Sequence, residues 1–262
     1  MRKYAEAEIL SNKPIAPGIF DMSARFPEDL SDARAGQFAM IYMRNEKNLL
    51  PRPISVCDFD SENHWLRFIY KVVGEGTGSL SELRAGDRAR VLAPLGNGFN
   101  VTANRKHVAI VGGGVGVPPL LGLAKAVRAK NPGARITVVL GFATKDAFLV
   151  NDFASIPGVD VNITTDDGSL GYHGNTVGFM RDSGLDCDTV YACGPRIMLK
   201  FLAELCAEKD MACFVSMEER MGCGLGACVG CVVLVRPRGE GQNFYKKVCK
   251  DGPVFNAREV VW

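Results

Sequence analysis

Four cysteines carry the clearest chemistry in this chain: Cys223, Cys228, Cys231 and, after seventeen further residues, Cys249. The spacing C-x4-C-x2-C…C is the plant-type pattern for a [2Fe–2S] cluster, in which thiolates supply every protein ligand. Glycines 222, 224, 226 and 230 interleave the first three. They suit a tight loop whose backbone takes positive φ and turns amide N–H groups toward sulfur. Zinc held by four cysteines is the other reading, although such sites usually show two short C-x2–4-C pairs. The chain has nine cysteines, eight of them at or after Cys187. Buried free thiols account for Cys57, Cys187, Cys206 and Cys213, but not for the tight trio.

A second chemistry lies in two glycine turns. Gly112, Gly113, Gly114 and Gly116 follow the apolar run Val108–Val111 and precede an amphipathic run from Leu120 to Lys130. Such a turn lets a phosphate approach backbone amides at a helix N-terminus, although the run does not fit G-x-G-x-x-G and serves equally as a structural turn. Cys193-Gly194-Pro195 stands in the same relation to Thr189–Ala192 and the helical stretch Arg196–Lys209. A third group is Arg52-Pro53-Ile54-Ser55, with Lys71 and Gly74-Glu75-Gly76-Thr77 further on. Arginine suits bidentate phosphate contact, and Gly76 lets a backbone amide approach an anion. Read bare, these are more often an exposed arginine and a hairpin turn. His64, His107 and His173 have no ligand spacing, and no residue is assigned as a catalytic acid, base or nucleophile.

The elements that must position these residues change character along the chain. In the first hundred residues, Tyr4–Leu10, Phe38–Met43, Ile54–Phe59, Trp65–Val73 and Arg88–Leu92 are expected strands, with one helical turn at Ser79–Leu83. Many short strands and no long helix predict an antiparallel β-barrel. From residue 105, Val108–Val111, Ile136–Gly141, Val159–Thr164 and Thr189–Ala192 alternate with helical patterns, the signature of an α/β parallel sheet. In such sheets ligands bind at the carboxyl ends of the strands. The expected units are a barrel at 1–103, an α/β nucleotide domain at 104–212 and a small cysteine-bearing subdomain at 213–262.

Composition bounds the partners. The 262 residues are 47% hydrophobic and 23% charged, and 31 Lys and Arg against 29 Asp and Glu leave a formal charge of +2. Such a balance gives no electrostatic case for nucleic acid or an anionic membrane. No apolar run reaches the eighteen residues of a membrane span, and the N-terminus has no continuous apolar h-region. A cytoplasmic location is the expectation, where clustered thiols serve metal or redox chemistry.

In order, RPIS, GEGT, the AP-LGNGF of 93–99, GGGVG, the DDGSLG of 166–171, CGP and CGLGACVGC resemble the ferredoxin–NADP reductase superfamily. Within it, the chain is most similar to the electron-transfer subunits of dihydroorotate dehydrogenase B. The resemblance covers nearly the whole chain. It implies an FAD-binding barrel, an NAD-binding α/β domain and a C-terminal [2Fe–2S] subdomain. It implies FAD contacts at Arg52, Pro53, Ile54 and Ser55, at Ile69, Tyr70 and Lys71, and at Gly76 and Thr77. It places NAD, a co-substrate, over Gly112, Gly113, Gly114 and Gly116 and near Cys193, Gly194 and Pro195. It makes Cys223, Cys228, Cys231 and Cys249 the cluster ligands. It implies an FMN-containing dihydroorotate dehydrogenase catalytic subunit as partner, in a heterotetramer of two plus two. Electrons would pass from FMN through the cluster and FAD to NAD+, in pyrimidine biosynthesis. Two departures stand out: Ala93 where the family commonly has Gly, and a long basic segment, Arg236–Lys247, expected as a solvated loop or partner-facing surface. A related reductase subunit of a ferredoxin–NADP transhydrogenase, sulfide dehydrogenase or hydrogenase is the alternative within the class. A zinc-stapled nucleotide-binding regulatory module is the alternative outside it.

Overall fold

A computed structural model describes residues 3–42, 49–237, 239 and 241–262. Met43, at the end of one expected strand, lies outside these residues, as do Arg238 and Glu240 within the basic segment.

Six strands close the N-terminal barrel: β1 (Lys3–Ala16), β2 (Ile19–Arg25), β3 (Phe38–Tyr42), β4 (Arg52–Asp60), β5 (Trp65–Lys71) and β6 (Arg88–Leu95). Their order is β1-β2-β5-β4-β3-β6. The period of two is plain in β1, where Ala5, Ala7 and Ile9 point inward and Glu6 and Glu8 outward. The outward acids face Arg90 and Arg88 across the β1–β6 ladder, a pairing that favours this register. Strand β2 has no counterpart among the expected strands. Its alternation is interrupted by Asp21, whose carboxylate meets the Arg67 guanidinium on β5 at 2.7 Å. The helix α1 (Glu75–Ser81) begins four residues before the expected turn. Two glycines disguise it, and the Thr77 hydroxyl starts it by accepting from the Val73 N–H at 2.9 Å.

The second layer is a seven-stranded sheet in the order β10-β9-β8-β7-β11-β12-β15. It comprises β7 (His107–Gly113), β8 (Arg135–Phe142), β9 (Val159–Thr165), β10 (Tyr172–His173), β11 (Thr189–Cys193) and β12 (Ala212–Ser216), all parallel, with β15 (Val254–Asn256) antiparallel on β12. Helices α2 (Pro119–Lys130), α3 (Val150–Ala154), α4 (Thr176–Asp182) and α5 (Arg196–Glu208) connect the strands. Val108 to Val111 are buried without alternation, as expected of a parallel strand covered on both faces. The boundary drawn at 212/213 falls inside β12, so the sheet runs past it and regains a strand after the cysteine segment.

Between β12 and β15 come the cysteine loop, β13 (Val232–Val235), β14 (Phe244–Lys247) and α6 (Val248–Asp251). β14 pairs with β13, Val235 opposite Phe244. The far end of the basic segment is therefore strand rather than solvated loop, because Phe244 and Tyr245 continue the ribbon that Val232–Val235 begins.

Candidate functional site

The loop from Met221 to Cys231 has no regular secondary structure, and some of its amides are turned to sulfur. The N–H groups of Leu225 and Cys228 each donate to Cys223 Sγ at 3.4 Å, and the Cys249 N–H donates to Cys231 Sγ at 3.5 Å. These bonds link Cys228 to Cys223 and Cys249 to Cys231. At Cys223, burial raises the pKa, but the amides of Cys228, Leu225 and Ala227 and the Cys228 side chain outweigh it and bring the thiol down to about 6. At Cys249, burial and the Cys231 side chain push the thiol up to about 12. Among the described residues no group of three or more His, Cys, Asp and Glu side chains forms a site for a metal ion. Four thiols on this loop and the adjoining α6, with amides aimed at sulfur, suit a thiolate-held iron–sulfur group.

This loop is docked on the barrel. Met40 of β3 packs beneath Gly224. Phe38, Met40, Leu92 and Leu95 of the barrel share one core with Cys231 and Cys249. Burying a side chain such as Met40 contributes about 1.5–3 kcal/mol. Asn97, in the linker after β6, donates its main-chain N–H to the Gly252 carbonyl and its side-chain amide to the carbonyls of Lys250 and Asp251. Asn97 stands inside a motif visible in the sequence, but its partners lie more than 150 residues away.

On the barrel, Arg52–Ser55 begin β4, Ile69–Lys71 end the neighbouring β5, and Gly76 and Thr77 lie in α1. The Arg52 guanidinium lies directly over Gly76: a Cβ there would come within 2.2 Å of Arg52 Nε. Arg52 Nη1 also donates to the Leu50 carbonyl at 2.7 Å. The structure thus brings two of the three expected flavin segments together, with a cation over a backbone that has no side chain. That arrangement fits a dinucleotide pyrophosphate. The remaining side chains have other duties. Tyr70 is buried, stacks on Phe20 and donates its hydroxyl to Asn12 Oδ1 at 3.0 Å. Ile69 is buried in the core that also holds Val117 and Leu120. The Thr77 hydroxyl is engaged with the 73–74 backbone. What these three residues offer a ligand is main chain.

The two glycine turns meet at the carboxyl ends of adjacent strands, with Cys193 opposite Gly112. A Cβ on Gly116 would lie 2.5 Å from the Cys193 carbonyl carbon and oxygen, so only glycine allows the turns to touch. Helices α2 and α5 start immediately beyond, at Pro119 and Arg196. Gly113 is covered by Met198 and Pro195. Cys193 keeps some exposed surface, yet desolvation of its thiol pushes the pKa up to about 12 against a hydrogen bond to Ser216. The end of β5 packs against the 114–116 turn, which brings the flavin segment beside this ridge.

The family described as the iron-sulfur cluster binding domain of dihydroorotate dehydrogenase B matches residues 218–261, a span containing all four cysteines. A relative in Caldanaerobacter subterraneus subsp. tengcongensis, named dihydroorotate dehydrogenase B (NAD(+)), electron transfer subunit, is 41% identical over the whole of both chains. One of the same name in Streptococcus mutans is 40% identical over 97% of this chain and 96% of its own. A solved structure of an NADH-dependent reduced ferredoxin-NADP oxidoreductase superposes with a TM-score of 0.85 at 34% identity, covering 98% of this chain and 90% of that one. A ferredoxin NADP+ reductase from Neisseria gonorrhoeae shares the fold, with a TM-score of 0.66 at 17% identity over 79% of this chain and 92% of its own.

Proposed function

Because the chain belongs to the family of dihydroorotate dehydrogenase B electron transfer subunits, we propose that it links dihydroorotate oxidation on a catalytic partner to NAD+ reduction in pyrimidine biosynthesis. It is an oxidoreductase component that works with FAD, a [2Fe–2S] cluster and NAD. The observation that carries this reading is end-to-end identity of 41% to a relative of that name, with the four cysteines inside the matched cluster-binding segment. The alternative as a transhydrogenase, sulfide dehydrogenase or hydrogenase subunit gives way to it. The named relatives are more similar than the solved ferredoxin-NADP oxidoreductase, at 38–42% against 34%. The zinc-stapled regulatory module gives way on the same match.

When bound, the cluster supplies single-electron transfer, NAD+ takes up a hydride, and a flavin exchanges electrons in both forms. The chain's own part is placement. Cys223, Cys228, Cys231 and Cys249 hold the cluster, and the amides of Leu225, Ala227 and Cys228 stabilise negative charge on Cys223. Arg52, over Gly76, neutralises the FAD pyrophosphate, and main chain at Pro53–Ser55, Ile69–Lys71 and Thr77 positions the rest. The ridge of Gly112–Gly116 and Cys193–Pro195 takes the nicotinamide nucleotide. Met40, Asn97 and Ile69 hold the three regions against one another.

The partner carries FMN, and the assembly is a heterotetramer of two plus two in the cytoplasm. Among the described residues no helix is long and apolar enough to cross a membrane. Co-expression with an FMN-containing dihydroorotate dehydrogenase subunit tests the reading. A stable complex of two-plus-two mass that reduces NAD+ with dihydroorotate is expected. A chain that binds FAD and the cluster, reduces NAD+ from ferredoxin and never from dihydroorotate with the partner present would overturn it.

A further inference from the structure

Strand β14 ends in two successive lysines, and strand alternation sends them to opposite faces. Lys246 turns away from the cysteine loop, toward Glu259 at 3.9 Å and the face of the Phe244 ring. Lys247 turns toward the loop, and its Nζ donates to the Gly226 carbonyl at 2.7 Å in a partly buried contact. Its main chain is fixed as well. The Lys247 N–H donates to Asp251 Oδ2 at 2.7 Å, and the next residue, Val248, donates to the Cys231 carbonyl at 2.8 Å. Gly226 lies between Cys223 and Cys228, next to Leu225, whose N–H donates to Cys223 Sγ at 3.4 Å. The ammonium is thus tied to the loop between two of the cysteines, one residue from an amide that donates to sulfur.

We propose that Lys247 is a positioning residue for the cluster loop, holding Gly226 through its carbonyl so that the adjacent Leu225 N–H stays on the sulfur of Cys223, and setting a fixed positive charge beside the cluster. The inference rests on the reading of the four cysteines as cluster ligands. The physical consequence has a sign. The reduced cluster carries one more negative charge than the oxidised one, and both the cation and the amide stabilise that charge. Removing them makes the cluster harder to reduce.

The test uses the FAD- and cluster-loaded chain with three variants, Lys247→Met, Lys247→Arg and Lys246→Met. Midpoint potentials come from redox titration followed by electron paramagnetic resonance, and loading from iron and acid-labile sulfide. A lower midpoint in Lys247→Met is expected, with Lys247→Arg close to the parent and Lys246→Met unchanged. Lys246→Met removes the same formal charge from the opposite face, and so separates a local contact from net charge. Loss of the cluster from Lys247→Met alone also supports the tether. A parental midpoint in loaded Lys247→Met, an equal fall in Lys246→Met, or loss of the cluster from both Lys247 variants overturns it. A parent chain that takes up FAD but shows no cluster signal defeats the underlying reading of the cysteines, and the role of Lys247 with it.

Discussion

Asn97 donates its main-chain N–H to the carbonyl of Gly252 at 2.6 Å, joining the linker that leaves the barrel to the end of the short helix bearing Cys249. Its side-chain amide adds bonds of 3.1 and 3.2 Å to the carbonyls of Lys250 and Asp251. Asn97→Ala removes only the side-chain bonds, each worth about 0.5–1.5 kcal/mol net and toward the low end at an exposed site. We expect a slightly lower melting temperature and faster bleaching of the cluster absorbance under chelator. Unchanged bleaching would show that the linker does not brace α6.

Cys228→Ser removes one of the four cluster cysteines. Dihydroorotate-dependent NAD+ reduction in the complex is expected to disappear. NADH oxidation with an artificial acceptor should persist, because the glycine ridge and the Arg52 region are untouched. Coupled turnover surviving in this variant would sink the assignment of the cluster.

Gly76→Ala sets a methyl where Arg52 Nε lies 2.2 Å away, so the guanidinium must leave its seat. A hydrogen bond to a charged group contributes about 1.5–3 kcal/mol, so FAD affinity should fall about tenfold or more. Flavin absorbance per mole of purified protein measures this. Full flavin occupancy after dialysis would place the pyrophosphate elsewhere.

Gly116→Ala drives a methyl into the Cys193 carbonyl. Overpacking of this kind costs about 1–3 kcal/mol, and it falls on the seam between β7 and β11. The KM for NADH should rise with flavin content unchanged, as read in the artificial-acceptor assay. A parental KM would remove the ridge from the nucleotide site.

Burial pushes the Tyr70 phenol up from 10.0 to about 12. The folded state holds this proton more tightly than the unfolded state. Stability from Tyr70 is therefore intact below pH 10 and is lost as pH rises from 10 to about 12. Tyr70→Phe should be less stable near neutral pH, through loss of the bond to Asn12, and should lose less stability than the parent across that window. Urea unfolding at pH 9 and pH 11 would reveal the difference, and parallel losses in both proteins would contradict it.

Local pattern made much of this legible. The cysteine spacing, the apolar runs within β7 and β8, and the two glycine turns announce themselves because each is contained in a short stretch. The residues that hold the regions together did not. Asn97, Met40 and Lys247 act on partners brought near only by the fold, and β2 hides because Asp21 serves Arg67 rather than the alternation of its own strand. Tyr70 shows the opposite difficulty. Its place in a flavin segment was readable, but not that its side chain points into the barrel.

Ser216 and Val254 are neighbours in the ladder of β12 and β15. The segment between them therefore leaves and re-enters the sheet at one point, as an insertion with both ends already tied. Its loop-closure entropy is met by strand pairing rather than by the metal. Apoprotein should thus keep a folded nucleotide sheet while the insertion alone loosens. The same arrangement makes the insertion a lid as well as a loop: without it Phe38, Met40, Leu92 and Leu95 of the barrel would lose the residues that cover them.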